Sequence, residues 1–133
     1  MPTPPDRSPD RPIEWVGSAL KDLSDFPIDV KRNVGFALRA AQQGKKSPAA
    51  KPMTGDGAFR GASVLEIVDD HDGDTYRAVY TVRFAEAVYV LHAFQKKSTK
   101  GIATPRHEID KIKRRLDEAT RLHADKFGRR DSA

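Results

Sequence analysis

The side chains of this 133-residue chain best suited to chemistry are cations. Between Gln95 and Arg115 stand Lys96, Lys97, Lys100, Arg106, Lys111, Lys113, Arg114 and Arg115 against only Glu108 and Asp110, an excess larger than the +5 net charge of the whole chain. The remainder is therefore close to neutral. Arg77 sits inside an alternating stretch, Thr75-Tyr76-Arg77-Ala78-Val79-Tyr80, while Lys51 and Arg60 fall in a segment broken by glycine and proline. Arginine offers a planar fork matched to phosphate oxygens and lysine a compact charge. With a pI near 9.6, the chain is built to meet polyanions, which says nothing of its fold.

Each of these residues also has a plain structural reading. Arg77 could be a solvated strand residue paired with a carboxylate such as Glu66. Lys96 and Lys97 could be a charged strand end, and because strand neighbours point to opposite faces only one of them can enter a given cleft. Lys97 is the one we expect there. Gln95 could hydrogen-bond a base or phosphate, or simply be solvated. Lys51 and Arg60 could reach an incoming phosphate backbone from their loop, or be loop charges. Lys100, Lys111, Arg114 and Arg115 suit phosphate contacts that position a nucleic acid without specifying it, or an acidic protein segment.

Other chemistry is excluded by composition and spacing. There are no cysteines, which removes disulfides, thiolate catalysis and Cys-ligated zinc. His107-Glu108 lacks the second histidine of a zincin helix. Asp70, Asp72 and Asp74 alternate like a calcium loop, but Gly73 is out of position and Thr81 stands where the closing glutamate belongs, so they read as a hairpin turn. No glycine-rich phosphate loop or GxSxG elbow is present. Nothing approaches the ~18 apolar residues of a membrane span, and the Met1 to Pro5 opening lacks a signal peptide's apolar stretch. A soluble, cytoplasmic protein with no cofactor and no metal is the expectation.

The elements that must position these residues follow from periodicity. The proline-rich residues 1–11 read as a disordered tail, residues 12–123 as one domain and 124–133 as a polar C-terminal tail. Residues 12–16 form a short strand with Trp15 as anchor, and Ser18 caps a short helix bearing Leu20 and Leu23. Pro27 opens a second helix whose Val30, Val34, Ala37, Leu38 and Ala41 share one face, with Gly44 as its stop. A long loop runs from Lys45 to Gly61. Strands at 64–68, 75–84 and 88–94 form an antiparallel meander. Thr104 and Pro105 start a last helix with Ile109, Ile112, Leu116 and Ala119 inward, ending near His123. The order β-α-α-β-β-β-α is an α+β pattern.

The run Tyr89-Val90-Leu91-His92-Ala93-Phe94-Gln95-Lys96-Lys97-Ser98-Thr99-Lys100, followed by a proline-started basic helix, resembles the phage-derived branch of the RelE/HigB toxin superfamily. Ile13 to Gly17, Phe26-Pro27 and Tyr76 to Tyr80 resemble the same family in the same order. The resemblance covers residues 12–122. It implies a RelE-like small twisted antiparallel sheet with two N-terminal helices and a C-terminal helix. It further implies the toxin of a type II toxin-antitoxin system, an mRNA interferase that enters the ribosome and cleaves message without a metal. Its partner would be an antitoxin, often of helix-turn-helix type.

On this resemblance Arg77 matches the Arg of the family's Tyr-Arg-x-x-Tyr strand, which contributes to the active site, and Lys96 and Lys97 fall where the family places catalytic cations. Arg60, read from its charge and loop position and not from the resemblance, is a further catalytic candidate. Cleavage by 2′-OH attack also needs a base. Here the chain departs from RelE itself. RelE has lysines on the strand that here carries Glu66, and a tyrosine shortly after the last strand, where this chain has none. The base is left open among His107, His92 and Tyr80, since histidine titrates near neutrality, although His92 in its apolar strand also reads as a satisfied core histidine. A noncatalytic RNA- or ribosome-binding module, or a protein-interaction module of the same fold, is the alternative.

Overall fold

A computed structural model describes residues 10–53, 57–97 and 104–128. Among these residues eight elements follow one another: β1 (Ile13–Trp15), α1 (Ala19–Ser24), α2 (Ile28–Gln42), β2 (Ala50–Pro52), β3 (Val64–His71), β4 (Asp74–Thr81), β5 (Val88–Lys97) and α3 (Arg106–Phe127). The α+β class and the expected sequence of helices and long strands are those observed. The five strands make one sheet in the order β1-β5-β4-β3-β2, an arrangement consistent with a small RelE-like fold.

The sheet is not wholly antiparallel. β1 runs parallel to β5, with Ile13, Glu14 and Trp15 opposite Val88, Tyr89 and Val90. A parallel neighbour needs a long crossover, and α1 through β4 supply it. Inside the expected Lys45–Gly61 loop, Ala50–Pro52 pairs with Ile67–Leu65 as a short edge strand. Three residues ending in proline leave little for period-2 patterning to register, and Pro52 blunts the open edge. Between β3 and β4 the two-residue Asp72-Gly73 turn has φ of 52° and 85°, the double positive φ that matches strand twist.

Alternation sorts the sheet's side chains into two cores. Leu65, Ile67, Ala78, Tyr80, Val88 and Val90 pack under Val30, Val34, Ala37, Leu38 and Ala41 of α2 and Ala19 and Leu23 of α1. On the other face Val64, Val79, Tyr89, Leu91 and Phe94 meet Ile109, Ile112, Leu116 and Ala119 of α3. Thus the sheet is sandwiched, and each helix buries the stripe its periodicity predicts. Two boundaries move outward. α3 continues past His123 to Phe127, because His123 stacks on Phe84 and lies against Phe127. At the other end Arg11 N–H donates to Gln42 O at 3.0 Å and Asp10 pairs with Arg39, so the chain is held to α2 before Pro12. Residues 1–9 and 129–133 lie outside the described residues.

One glycine is required by a close approach. Gly17 has φ +57°, and a β-carbon there would lie 2.8 Å from Arg115 Nε. Gly17→Ala is expected to cost roughly 1–2 kcal/mol from the left-handed backbone alone, more if the guanidinium is displaced. Thermal unfolding should show a Tm at least about 4 °C lower; an unchanged Tm would contradict this packing.

Candidate functional site

The face of the sheet that carries α3 also carries the polar residues of interest, in three rows read off the strand register. Lys51, Glu66, Val79 and His92 lie across from one another in the first row. Val68, Arg77 and Phe94 form the second, and Asp70, Thr75 and Lys96 the third. α3 covers the Tyr89–Leu91 end, whereas Val68 is 41% exposed and Lys51 and Asp70 reach solvent.

A β-bulge decides which β5 residues belong to this face. Val79 pairs with His92 but Tyr80 with Val90, so Leu91 is the extra residue. Such an insertion reverses the alternation beyond it. Strict period-2 counting would put His92, Phe94 and Lys96 with Val90 under α1 and α2. Past the bulge they instead join Tyr89 and Leu91 on the α3 face. Lys96 is therefore a lysine brought to the row beside Arg77. Lys97 is the last residue of β5, opposite Asp74; its side chain, and all of Lys100, lie outside the described residues.

Arg77 is the centre of the arrangement. Its Nη1 donates to Glu66 Oε2 at 3.2 Å and to Thr104 Oγ1 at 3.1 Å, with the Arg77 and Glu66 side chains 11% and 17% exposed. The pairing read as its plain alternative is thus present. Thr104 precedes Pro105, the N-cap of α3, so the positive end of a 22-residue helix lies near the guanidinium. Lys96 has its pKa lowered, first by burial and then by the nearby Arg77 charge. In the third row Thr75 Oγ1 donates to Asp70 Oδ1 at 2.8 Å. Glu66, Thr104, Asp70 and Thr75 were not candidates from sequence. The signal for Glu66 was that of a carboxylate on a strand near Arg77's, which the register places diagonal to it, opposite Val79.

The remaining candidates disperse. Tyr80 shares β4 with Arg77 but points into the opposite core. It is fully buried, its hydroxyl has no hydrogen-bond partner among the described residues, and burial raises its pKa to about 12. His107 is exposed at the first turn of α3, 3.7 Å from Glu108. Gln95 turns away from the Arg77 face and its Nε2 donates to Asp74 at 2.8 Å. Arg114 is exposed and Lys111 half-buried on α3. Arg60 belongs elsewhere. With Arg11, Lys45 and Lys46 it rims a cleft of about 710 Å³ at the Val64–Leu65 end of β3. Val64 precedes Val68 of the Arg77 row by four residues, about 13 Å along a strand.

His92 and Arg115 prove to be the bolt that holds α3. His92 is 3% exposed, with Nε2 2.7 Å from Glu108 Oε1 and Nδ1 3.2 Å from Arg115 Nη1. Arginine can only donate, so Nδ1 accepts and Nε2–H donates to the carboxylate. Arg115 also donates to Leu91 O at 3.0 Å and Ser18 Oγ at 3.1 Å. Both ring nitrogens are engaged, as for a satisfied core histidine. Burial lowers the His92 pKa against the opposing pull of Glu108, and Arg115 and Lys111 lower it further. A depressed histidine pKa means the unfolded chain binds the proton more tightly, so this contribution is present above the unperturbed value of about 6.5 and is lost as pH falls below it. The Tm of the native chain should drop more steeply between pH 7 and pH 5 than that of His92→Gln, on the order of the histidine window. Parallel curves would refute the assignment.

Among the described residues no group of three or more His, Asp or Glu side chains is placed to hold a metal ion, and no helix is long and apolar enough to cross a membrane. The family model described as phage derived protein Gp49-like (DUF891) matches residues 21–117. The chain belongs to this family. The match runs from α1 into α3 and so contains the whole Arg77 face. No curated protein and no solved structure matches the chain.

Proposed function

We propose that this Gp49-like protein is a toxin of RelE/HigB type that cleaves messenger RNA on the ribosome. The observation that carries the reading is the Arg77 cluster: a guanidinium held by Glu66 and Thr104, beside Lys96 and the start of α3, on a sheet face that reaches solvent. Family membership supports a phage-derived toxin role.

The chemistry follows from these groups. A phosphodiester laid along the Arg77–Lys96 row would have its non-bridging oxygens met by a fork and a point charge, with the helix terminus adding to the positive field. The Glu66 carboxylate, on the same face, takes the proton of the 2′-OH. That oxygen then bonds to phosphorus while the bond to the 5′-oxygen breaks, and the departing oxygen receives a proton. Lys96, whose lowered pKa makes it a better donor, is suited to supply it. The products are a 2′,3′-cyclic phosphate and a 5′-hydroxyl end. Arg77 and Lys96 stabilise the charge that grows between these states, and the ribosome contributes by holding the message in place. Control of such an activity would fall to an antitoxin, often of helix-turn-helix type in this branch.

Inducible expression in bacteria, scored by growth and by mapping message 5′ ends, tests the proposal. Growth arrest with new 5′-hydroxyl ends is expected. Normal growth with intact messages at high soluble expression would overturn it. The second reading, a binding module without catalysis, is favoured by Glu66 already occupying Arg77, and predicts ribosome association without new ends.

A further inference from the structure

The cleft that contains Arg60 lies outside the Arg77 face and needs its own explanation. Arg11, Lys45, Lys46 and Arg60 line it, and no carboxylate does so among the described residues. Lys45, Lys46 and Arg60 are all exposed. Four like charges around one opening sum to a positive field that favours an anionic partner. Yet the walls are aliphatic: Pro52 and Leu65 come from the β2–β3 edge and Val82 from the segment after β4. At about 710 Å³ the cleft has room for one or two large side chains.

Polyanionic RNA and an acidic peptide would both satisfy the charge, but the walls discriminate between them. Single-stranded RNA binding relies on flat aromatic faces for its bases. Among the described residues the one aromatic that lines the cleft, Phe59, is 3% exposed and sits packed in the core beneath α3. A peptide, by contrast, anchors an apolar side chain in an aliphatic pocket and sets its charges on a polar rim. We infer that this cleft docks an acidic segment of a protein partner, one apolar side chain seated against Pro52 and Val82 and its carboxylates facing Arg11, Lys45, Lys46 and Arg60. The inference stands apart from the nuclease reading, since it uses none of the Arg77 residues.

Fluorescence anisotropy on the full chain tests it with two labelled probes: a short synthetic peptide in which leucines alternate with glutamates, and a single-stranded RNA of equal charge. The peptide is expected to bind, to bind more weakly with added salt, and to lose about tenfold or more in affinity with Lys45→Glu/Lys46→Glu and with Arg60→Glu. These exposed positions leave the folded core intact. Replacing leucine by serine in the peptide should weaken binding comparably, because the apolar anchor is lost. Peptide binding that ignores the charge reversals overturns the inference, as does RNA binding that depends on them while the peptide fails to bind. Self-association of the chain abolished by the same variants would also overturn it, assigning the cleft to a second copy.

Discussion

Arg77→Ala should abolish growth arrest and reduce cleavage of ribosome-bound message by about 10²–10³-fold or more, the loss typical when one preorganised electrostatic donor is removed from a transition state. The expectation rests on how Arg77 is held. Glu66 and Thr104 both accept from Nη1, fixing the guanidinium before substrate arrives, so little reorganisation is needed as charge builds on the phosphate. Arg77→Lys keeps the charge but loses the fork, and should fall between the native chain and Arg77→Ala. Single-turnover cleavage separates this order from a binding defect, and a thermal melt of each variant separates it from misfolding, since removing Arg77 also strips Glu66 of its partner. An Arg77→Ala protein that folds and cleaves at the native rate would remove the site from this face altogether.

Much of the scaffold was legible because helices and strands announce themselves by period. The stripe Val30, Val34, Ala37, Leu38, Ala41 is buried as its spacing predicts, as is Ile109, Ile112, Leu116, Ala119. What period cannot carry is an insertion. The bulge at Leu91 is a single residue in an apolar run where every neighbour could face either core, so nothing local marks it. Its consequence is nevertheless large, since it brings Lys96 to the Arg77 face and His92 from one core to the other. Pairing across distance was equally hidden. β1 joins β5 in parallel, and β2 takes shape only because β3 offers Leu65–Ile67 as a template.

Charge was read well in total and less well in place. Arg115 and Arg114 are neighbours in a basic run, yet one turns inward to bind Leu91 O, His92 and Ser18 while the other remains exposed. Helical phase assigns Arg115 to the flank of the buried stripe, but its inward bonds depend on the Gly17 turn, almost a hundred residues away in sequence, leaving room for the guanidinium. Arg60 and Arg77 look like partners in a list of cations, and the fold sets them at different ends of β3. Conversely Glu66, flanked by the apolar residues of Val64 to Val68, gave no sign of being more than a counter-ion until register placed it on the same face as Lys96.

Glu66→Gln is the sharpest test of that placement. The amide keeps an oxygen able to accept from Arg77 Nη1 and nearly the same volume, so the fold and the guanidinium's position should persist, while the proton acceptor is gone. If Glu66 draws the 2′-OH proton, cleavage should fall by about 10²–10⁴-fold, the usual contribution of a positioned general base, with ribosome association and Tm close to native. If Glu66 is only the counter-ion of Arg77, the outcome is opposite in sign. Removing a competing carboxylate frees positive field for the phosphate, and both RNA affinity and cleavage should hold or rise. Should cleavage survive Glu66→Gln, the proton must go elsewhere, and His107, exposed at the start of α3, becomes the residue to change next.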